Sequence, residues 1–129
     1  MDRSRLRIAV VDDDESVRKA LKRLLRAANL DADTFASGRD FLDSLVVQVP
    51  DCIVLDLHMP GMNGLDLQLQ LAHSGLQVPV VVITGHDEPL TRAQCLSAGA
   101  AAYLRKPLDD EALLDAIHRA AGVDRSSTA

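Results

Sequence analysis

Aromatic side chains are nearly missing from this chain: it has no tryptophan, one tyrosine and two phenylalanines among 129 residues. So few rings could hardly flank a flavin, and no Ser/Thr-rich phosphate loop follows the first apolar run. Both points speak against an FMN carrier. Cysteine is almost as scarce, since Cys52 and Cys95 stand alone, in no CxxC spacing and beside no histidine cluster. They are expected as buried thiols in a reducing compartment, without a disulfide. There is no excess of positive charge: 14 Lys and Arg are outnumbered by 19 Asp and Glu, for a net charge of −5. A chain so balanced is not expected to track nucleic-acid phosphates. Long hydrophobic runs are missing too. None approaches the roughly 18 residues of a membrane span, and the N-terminus lacks the apolar h-region of a secretory signal. The expectation is a cytoplasmic protein with no membrane contact.

The remaining composition is that of a globular domain, 47% hydrophobic and 26% charged. A chain of this length buries about two-thirds of the surface it exposes when unfolded. One domain is expected over 1–123, with a polar tail at 124–129, and Arg3, Arg5 and Arg7 are expected on an exposed N-terminal stretch.

Strands and helices alternate along it. Leu6–Val11 reads as a strand, and Asp14 or Glu15 caps a helix reaching about Ala28 with Val17, Leu21 and Leu24 on its apolar face. A strand over Asp31–Phe35 precedes a helix capped by Ser37 and carrying Phe41, Leu42 and Leu45. Cys52–Leu57 is a third strand, followed by turn chemistry from Met59 to Gly64. Leu65, Leu67, Leu69 and Leu71 alternate as in a strand. Leucine and glutamine favour helix, however, and a parallel sheet needs a crossover here, so a helix is predicted over Leu65–His73 with Leu69 partly exposed. Val78–Thr84 is the fourth strand. Pro89 opens and Gly99 ends a fourth helix. Ala101–Arg105 is the fifth strand, and Asp109 or Asp110 starts a last helix that Gly122 stops. The fold class is therefore α/β: a single doubly wound (βα)5 domain with a five-stranded parallel sheet of order 2-1-3-4-5.

In that fold the polar residues that end the strands converge: Asp12 and Asp13, Asp56, Thr84 and Lys106. Open α/β sheets bind ligands at this carboxyl edge. Each residue alone has an ordinary explanation, as a helix start, an exposed strand end or a surface turn. Accidental convergence of acids from two neighbouring strands is much less probable. Two carboxylates ~4 Å apart repel by about 4 kcal/mol at an effective dielectric near 20. A hard divalent ion removes that cost, and Mg²⁺ takes one or two carboxylates together with phosphate oxygens and water. Lys106 supplies a compact ammonium suited to a phosphoryl oxygen. Thr84 supplies a hydroxyl, with Gly85 leaving room for a donor.

The segments VVDDDESVR (10–18), DLHMPGMNG (56–64), VVVITGH (80–86) and AAYLRKP (101–107) resemble the receiver domain of two-component response regulators, and ITGH with Arg-Lys-Pro resembles the FixJ-type branch. The resemblance covers residues 6–121. It implies that Asp56 is the phosphorylated aspartate. Mg²⁺, or Mn²⁺ in its place, would be ligated by Asp13, Asp56 and the His58 backbone carbonyl, with Asp12 acting through water. It further implies that Lys106 pairs with the phosphoryl group, that the Lys106–Pro107 bond is cis, and that Thr84 and Tyr103 form a switch. His58 and His86, two residues after Asp56 and Thr84, would line the mouth of the site. They suit an oxygen-rich Mg²⁺ site poorly as ligands and are read as tuning the lifetime of the phosphorylated state.

The implied donor is a histidine kinase or phosphotransfer protein. The implied readout is a downstream protein, a fused output domain, or a phosphorylation-dependent homodimer through the fourth helix, fifth strand and fifth helix. A stand-alone receiver and a regulator with a helix-turn-helix DNA-binding domain both fit. The domain would not be an enzyme beyond assisting its own phosphorylation and dephosphorylation. The alternative is a haloacid-dehalogenase-type phosphatase using Asp12 and Asp14, against which Ser16 departs from the residue type expected after that motif.

Overall fold

The computed structural model describes residues 5–123. Five parallel strands, β1 (Arg7–Val11), β2 (Asp31–Phe35), β3 (Cys52–Asp56), β4 (Val80–Thr84) and β5 (Ala102–Arg105), lie in the order β2-β1-β3-β4-β5. Helices α1 (Glu15–Ala27), α2 (Gly38–Ser44), α3 (Gly64–His73), α4 (Pro89–Ser97) and α5 (Asp110–Ala120) connect and follow them. Sheet order and alternation are as the sequence predicts. Arg7 departs from expectation: it opens β1 and its guanidinium meets Asp33 at 2.8 Å. Arg3 and the tail 124–129 lie outside the described residues.

Successive strand residues face opposite sides, so two cores form. Ile8, Val10, Val54, Val81 and Ile83 pack with Leu21 and Leu25 of α1 and Leu113, Leu114 and Ile117 of α5. On the other side, Val11, Ile53, Leu55, Val82 and Tyr103 pack with Phe41 of α2, Leu67 and Leu71 of α3, and Cys95 of α4. Both cysteines are buried and free. Burial on both faces explains why these strands read as continuous apolar runs rather than alternating ones.

Of the four alternating leucines, Leu67 and Leu71 are buried, Leu65 is half-buried and Leu69 is 45% exposed. The helical periodicity of α3 resolves a pattern that mimics a strand. The fourth strand starts two residues later than predicted, at Val80, because Pro79 has no N–H to give the ladder. Caps follow the sequence closely. The side chains of Asp14, Ser37, Asn63 and Asp109 accept hydrogen bonds from first-turn amides of α1, α2, α3 and α5. Glu88, at the start of α4, makes no such bond. No helix among the described residues is long and apolar enough to cross a membrane.

Candidate functional site at the carboxyl edge of the sheet

Strands β1 and β3 are hydrogen-bonded neighbours, so the residues following Val11 and Leu55 emerge side by side. Ligand atoms of Asp12, Asp13 and Asp56 all lie within 4.8 Å of one another. Asp12 is fully buried and Asp56 is 3% exposed, whereas Asp13 stands in solvent. The buried Asp12 carboxylate is held from two sides. Its Oδ1 accepts from the Asp14 amide at 2.9 Å, and its Oδ2 accepts from Lys106 Nζ at 3.0 Å. Lys106 Nζ also lies 3.4 Å from Asp56 Oδ1.

This crowding marks both partners. Burial first, and the nearby Asp12 charge second, push the Asp56 carboxyl up to about 6 against the pull of Lys106. For Lys106, burial opposes the ammonium. Its hydrogen bond to Asp12 and the charges of Asp56 and Asp12 outweigh burial and hold the group above its ordinary value. One ammonium thus serves two buried carboxylates, and a third acid waits at the rim. An all-oxygen set with this surplus of negative charge fits a hard divalent cation.

The α3 start is pressed against the same edge. A Cβ on Gly64 would come 2.6 Å from the Asp56 carbonyl oxygen and 2.9 Å from Leu57 Cα, both backbone atoms. Glycine is required there by the close approach, and Asn63 caps the helix one residue earlier.

Thr84 is fully buried at the end of β4. Its hydroxyl donates to the His86 carbonyl and accepts from the His86 amide, each at 3.0 Å. Tyr103, on β5 opposite Val82, is buried with its hydroxyl unpartnered. Burial and then nearby Asp87 push its pKa up, and Arg92 lies 5.5 Å above the ring. The Lys106–Pro107 peptide bond is cis. His58 and His86 are exposed, with ring centroids 6.0 Å apart.

Two contributions escaped the sequence reading. Arg18, in the first turn of α1, reaches back to donate to the Asp12 carbonyl at 2.9 Å. The reciprocal grip of His86 on Thr84 runs through backbone atoms, which carry no residue-type signal. Asp14 does not join the acids: its Oδ1 accepts from the Ser16 amide at 2.9 Å and hydroxyl at 2.7 Å, capping α1. That leaves the phosphatase alternative without its second acid.

A doubly wound sheet of order β2-β1-β3-β4-β5 with an acid cluster, a lysine and a threonine at its carboxyl edge is a receiver fold, shared with chemotaxis protein CheY4 of Vibrio cholerae at 27% identity and a TM-score of 0.83. The chain belongs to the response regulator receiver domain family, whose model matches residues 8–118. It is 41% identical over 119 residues to nodulation protein W of Bradyrhizobium diazoefficiens, covering 92% of this chain and 52% of that one. It is 38% identical over 117 residues to the transcriptional regulatory protein FixJ of Azorhizobium caulinodans, covering 91% of this chain and 56% of the relative. Among solved structures, a response regulator receiver protein from Burkholderia phymatum is 45% identical with a TM-score of 0.82, covering 93% of this chain and 98% of that one. The match is of the FixJ type, and the phosphatase alternative has no support. The chain spans about half the length of the curated relatives it matches.

Proposed function

We propose that this domain accepts a phosphoryl group on Asp56 and uses it to switch protein contacts. The observation that carries the reading is the buried Asp56 carboxylate, with Lys106 Nζ at 3.4 Å and two further acids within 4.8 Å. Asp13, Asp56 and the His58 carbonyl would hold Mg²⁺, or Mn²⁺ in its place, with Asp12 acting through water. When bound, the ion neutralises charge on the incoming phosphoryl group.

An Asp56 oxygen attacks phosphorus in line with the donor. The donor is the phosphohistidine of a histidine kinase or phosphotransfer protein, or a small acyl phosphate. The bond to the leaving group breaks with its electron pair, and an aspartyl phosphate results. Lys106 then exchanges part of its contact with Asp56 for a phosphoryl oxygen, keeping Asp12 as its second partner. Thr84 gives up its His86 partners to donate to the phosphoryl group. Tyr103, already buried on β5 beside the end of β4, turns into the vacated space. Water returning to phosphorus ends the signal, at a rate to which His58 and His86 at the mouth contribute. The added group brings about two negative charges and biases a two-state equilibrium by about 1–3 kcal/mol.

The readout surface in this reading is α4, β5 and α5, pairing two copies or gripping a downstream protein or fused output domain. The relatives' greater length and one relative's name as a transcriptional regulatory protein favour a DNA-binding output and a cytoplasmic setting. The test is labelling of the whole chain by acetyl phosphate or a cognate kinase with Mg²⁺, followed by intact-mass and peptide analysis. One phosphoryl group on Asp56, lost in Asp56→Asn, is the expected result. Equal labelling of Asp56→Asn overturns the reading.

A further inference from the structure

Tyr103, the aromatic half of the proposed switch, is met from α4 by a residue outside the acid cluster. Arg92 lies in the opening turn of that helix, its amide donating to the Glu88 carbonyl at 2.9 Å. Three positions on, Cys95 is buried in the core that also contains Tyr103, and residues three apart share a helix face. Arg92 therefore approaches the same strand from the exposed rim, and its guanidinium carbon stands 5.5 Å from the centroid of the Tyr103 ring. A guanidinium within about 6 Å of a ring centroid is drawn to the electron-rich face. Its methylene stem covers apolar surface while the charge keeps its water. Tyr103 is only 8% exposed although β5 is an edge strand. Asp87 lies close enough that its charge, after burial, pushes the phenol's pKa up. That aspartate directly follows His86, whose carbonyl and amide occupy the Thr84 hydroxyl, each at 3.0 Å. The segment that grips the threonine thus runs straight into the helix turn that meets the tyrosine.

We infer that Arg92 is a positioning residue for the switch: its guanidinium, seated over the Tyr103 ring, holds that side chain in its resting orientation and opposes the turn that phosphorylation drives. The opposing role rests on the proposed movement of Tyr103; the hold on the resting ring does not. Rotating the ring about its side-chain bonds swings its face out from under the guanidinium, so the contact is given up before the ring enters the space that Thr84 leaves. An exposed contact of this kind changes an equilibrium by about two- to fivefold, which trims the switch without locking it. Removing Arg92 shifts the balance between the two ring positions and leaves Lys106 in place beside Asp12 and Asp56.

The chain has one tyrosine and no tryptophan, so the ultraviolet emission of the whole chain reports the Tyr103 ring alone. Acrylamide should quench that emission more strongly in Arg92→Gln, which keeps the length and loses the charge, and in Arg92→Ala. Arg92→Lys, which keeps a cation, should stay near the parent. Arg92 is exposed, so thermal melts of all three variants should match the parent's. Beryllofluoride, titrated by calorimetry in saturating MgCl₂, should bind Arg92→Gln about two- to fivefold more tightly than the parent, with Arg92→Lys restoring the parent's affinity. A merely structural role would lower the melt or weaken binding instead. Equal quenching of the parent and Arg92→Gln overturns the hold on the ring. Beryllofluoride affinity that is equal or weaker in Arg92→Gln overturns the positioning role. A parent chain that binds no beryllofluoride defeats the phosphoacceptor reading, and the quenching still decides whether Arg92 holds the ring.

Discussion

Toward the amino end of the sheet, Arg7 meets Asp33 at 2.8 Å, with the two side chains 31% and 50% exposed. At the carboxyl end, Lys106 meets Asp12 at an almost equal 3.0 Å, but the Asp12 side chain is wholly buried and that of Lys106 is only 24% exposed. Distance alone makes these contacts equivalent. Solvent separates them. The first pair is screened by water and contributes little. The second has lost its water, and each carboxylate there depends on the single ammonium. Buried like charge held apart by one cation raises the energy of the resting state locally. A divalent cation held by the three acids would relieve it.

The largest expected effect comes from removing that cation. Lys106→Ala, without Mg²⁺ at neutral pH, should lose about 3 kcal/mol of stability, because Asp12 and Asp56 are left buried and unpaired. Added Mg²⁺ should restore much of the loss in thermal melts. A melt indifferent to Mg²⁺ would mean the acids do not share an ion. Next is Gly64→Ala, whose methyl group would strike backbone at Asp56 and Leu57. It should cost about 2 kcal/mol and also slow labelling of Asp56, because the strand end itself must shift.

Asp56→Asn should act in the opposite direction. The folded carboxyl is raised to about 6 from 3.8, so folding favours its protonated form. That preference costs nothing below the unfolded value, grows as pH rises from 4 to 6, and is constant above. In EDTA the Asn variant should therefore be more stable than the parent at pH 7, by on the order of 3 kcal/mol, and nearly equal to it at pH 4. Denaturant midpoints across that range would show it, and a gap independent of pH would contradict it. Smallest is Arg7→Ala at the other end of the sheet, expected to cost under about 1 kcal/mol. A loss as large as that of Lys106→Ala would erase the distinction between the two ends.

The fold was legible because burial on both faces wrote β1, β3 and β4 as unbroken apolar runs, each ended by the polar residue it delivers to the site. Asp12, Asp56, Thr84 and Lys106 could be placed together from that pattern alone. Their unequal burial could not, since Asp12 and Asp13 are identical in type and differ only in which side of the β1 turn they leave. Gln68 shows the same limit. It sits among alternating leucines and reads as surface, yet it is 4% exposed and donates from Nε2 to the Cys95 carbonyl at 2.9 Å, joining α3 to α4. Nothing in a glutamine announces a partner 27 positions away. The grip of the His86 backbone on Thr84 was invisible for a related reason, since main-chain groups are the same at every position.

Four helices of this domain begin with a side chain that satisfies a first-turn amide, and α4 does not. Fraying its opening turn therefore breaks no side-chain cap, while Gln68 fastens its far end. That opening turn adjoins the His86 segment, whose backbone carbonyl and amide hold the Thr84 hydroxyl and which Thr84 would release in the proposed switch. Leu90, 73% exposed, rides on that turn, so any shift of the His86 segment in the proposed switch would be presented to a partner first as a moved leucine.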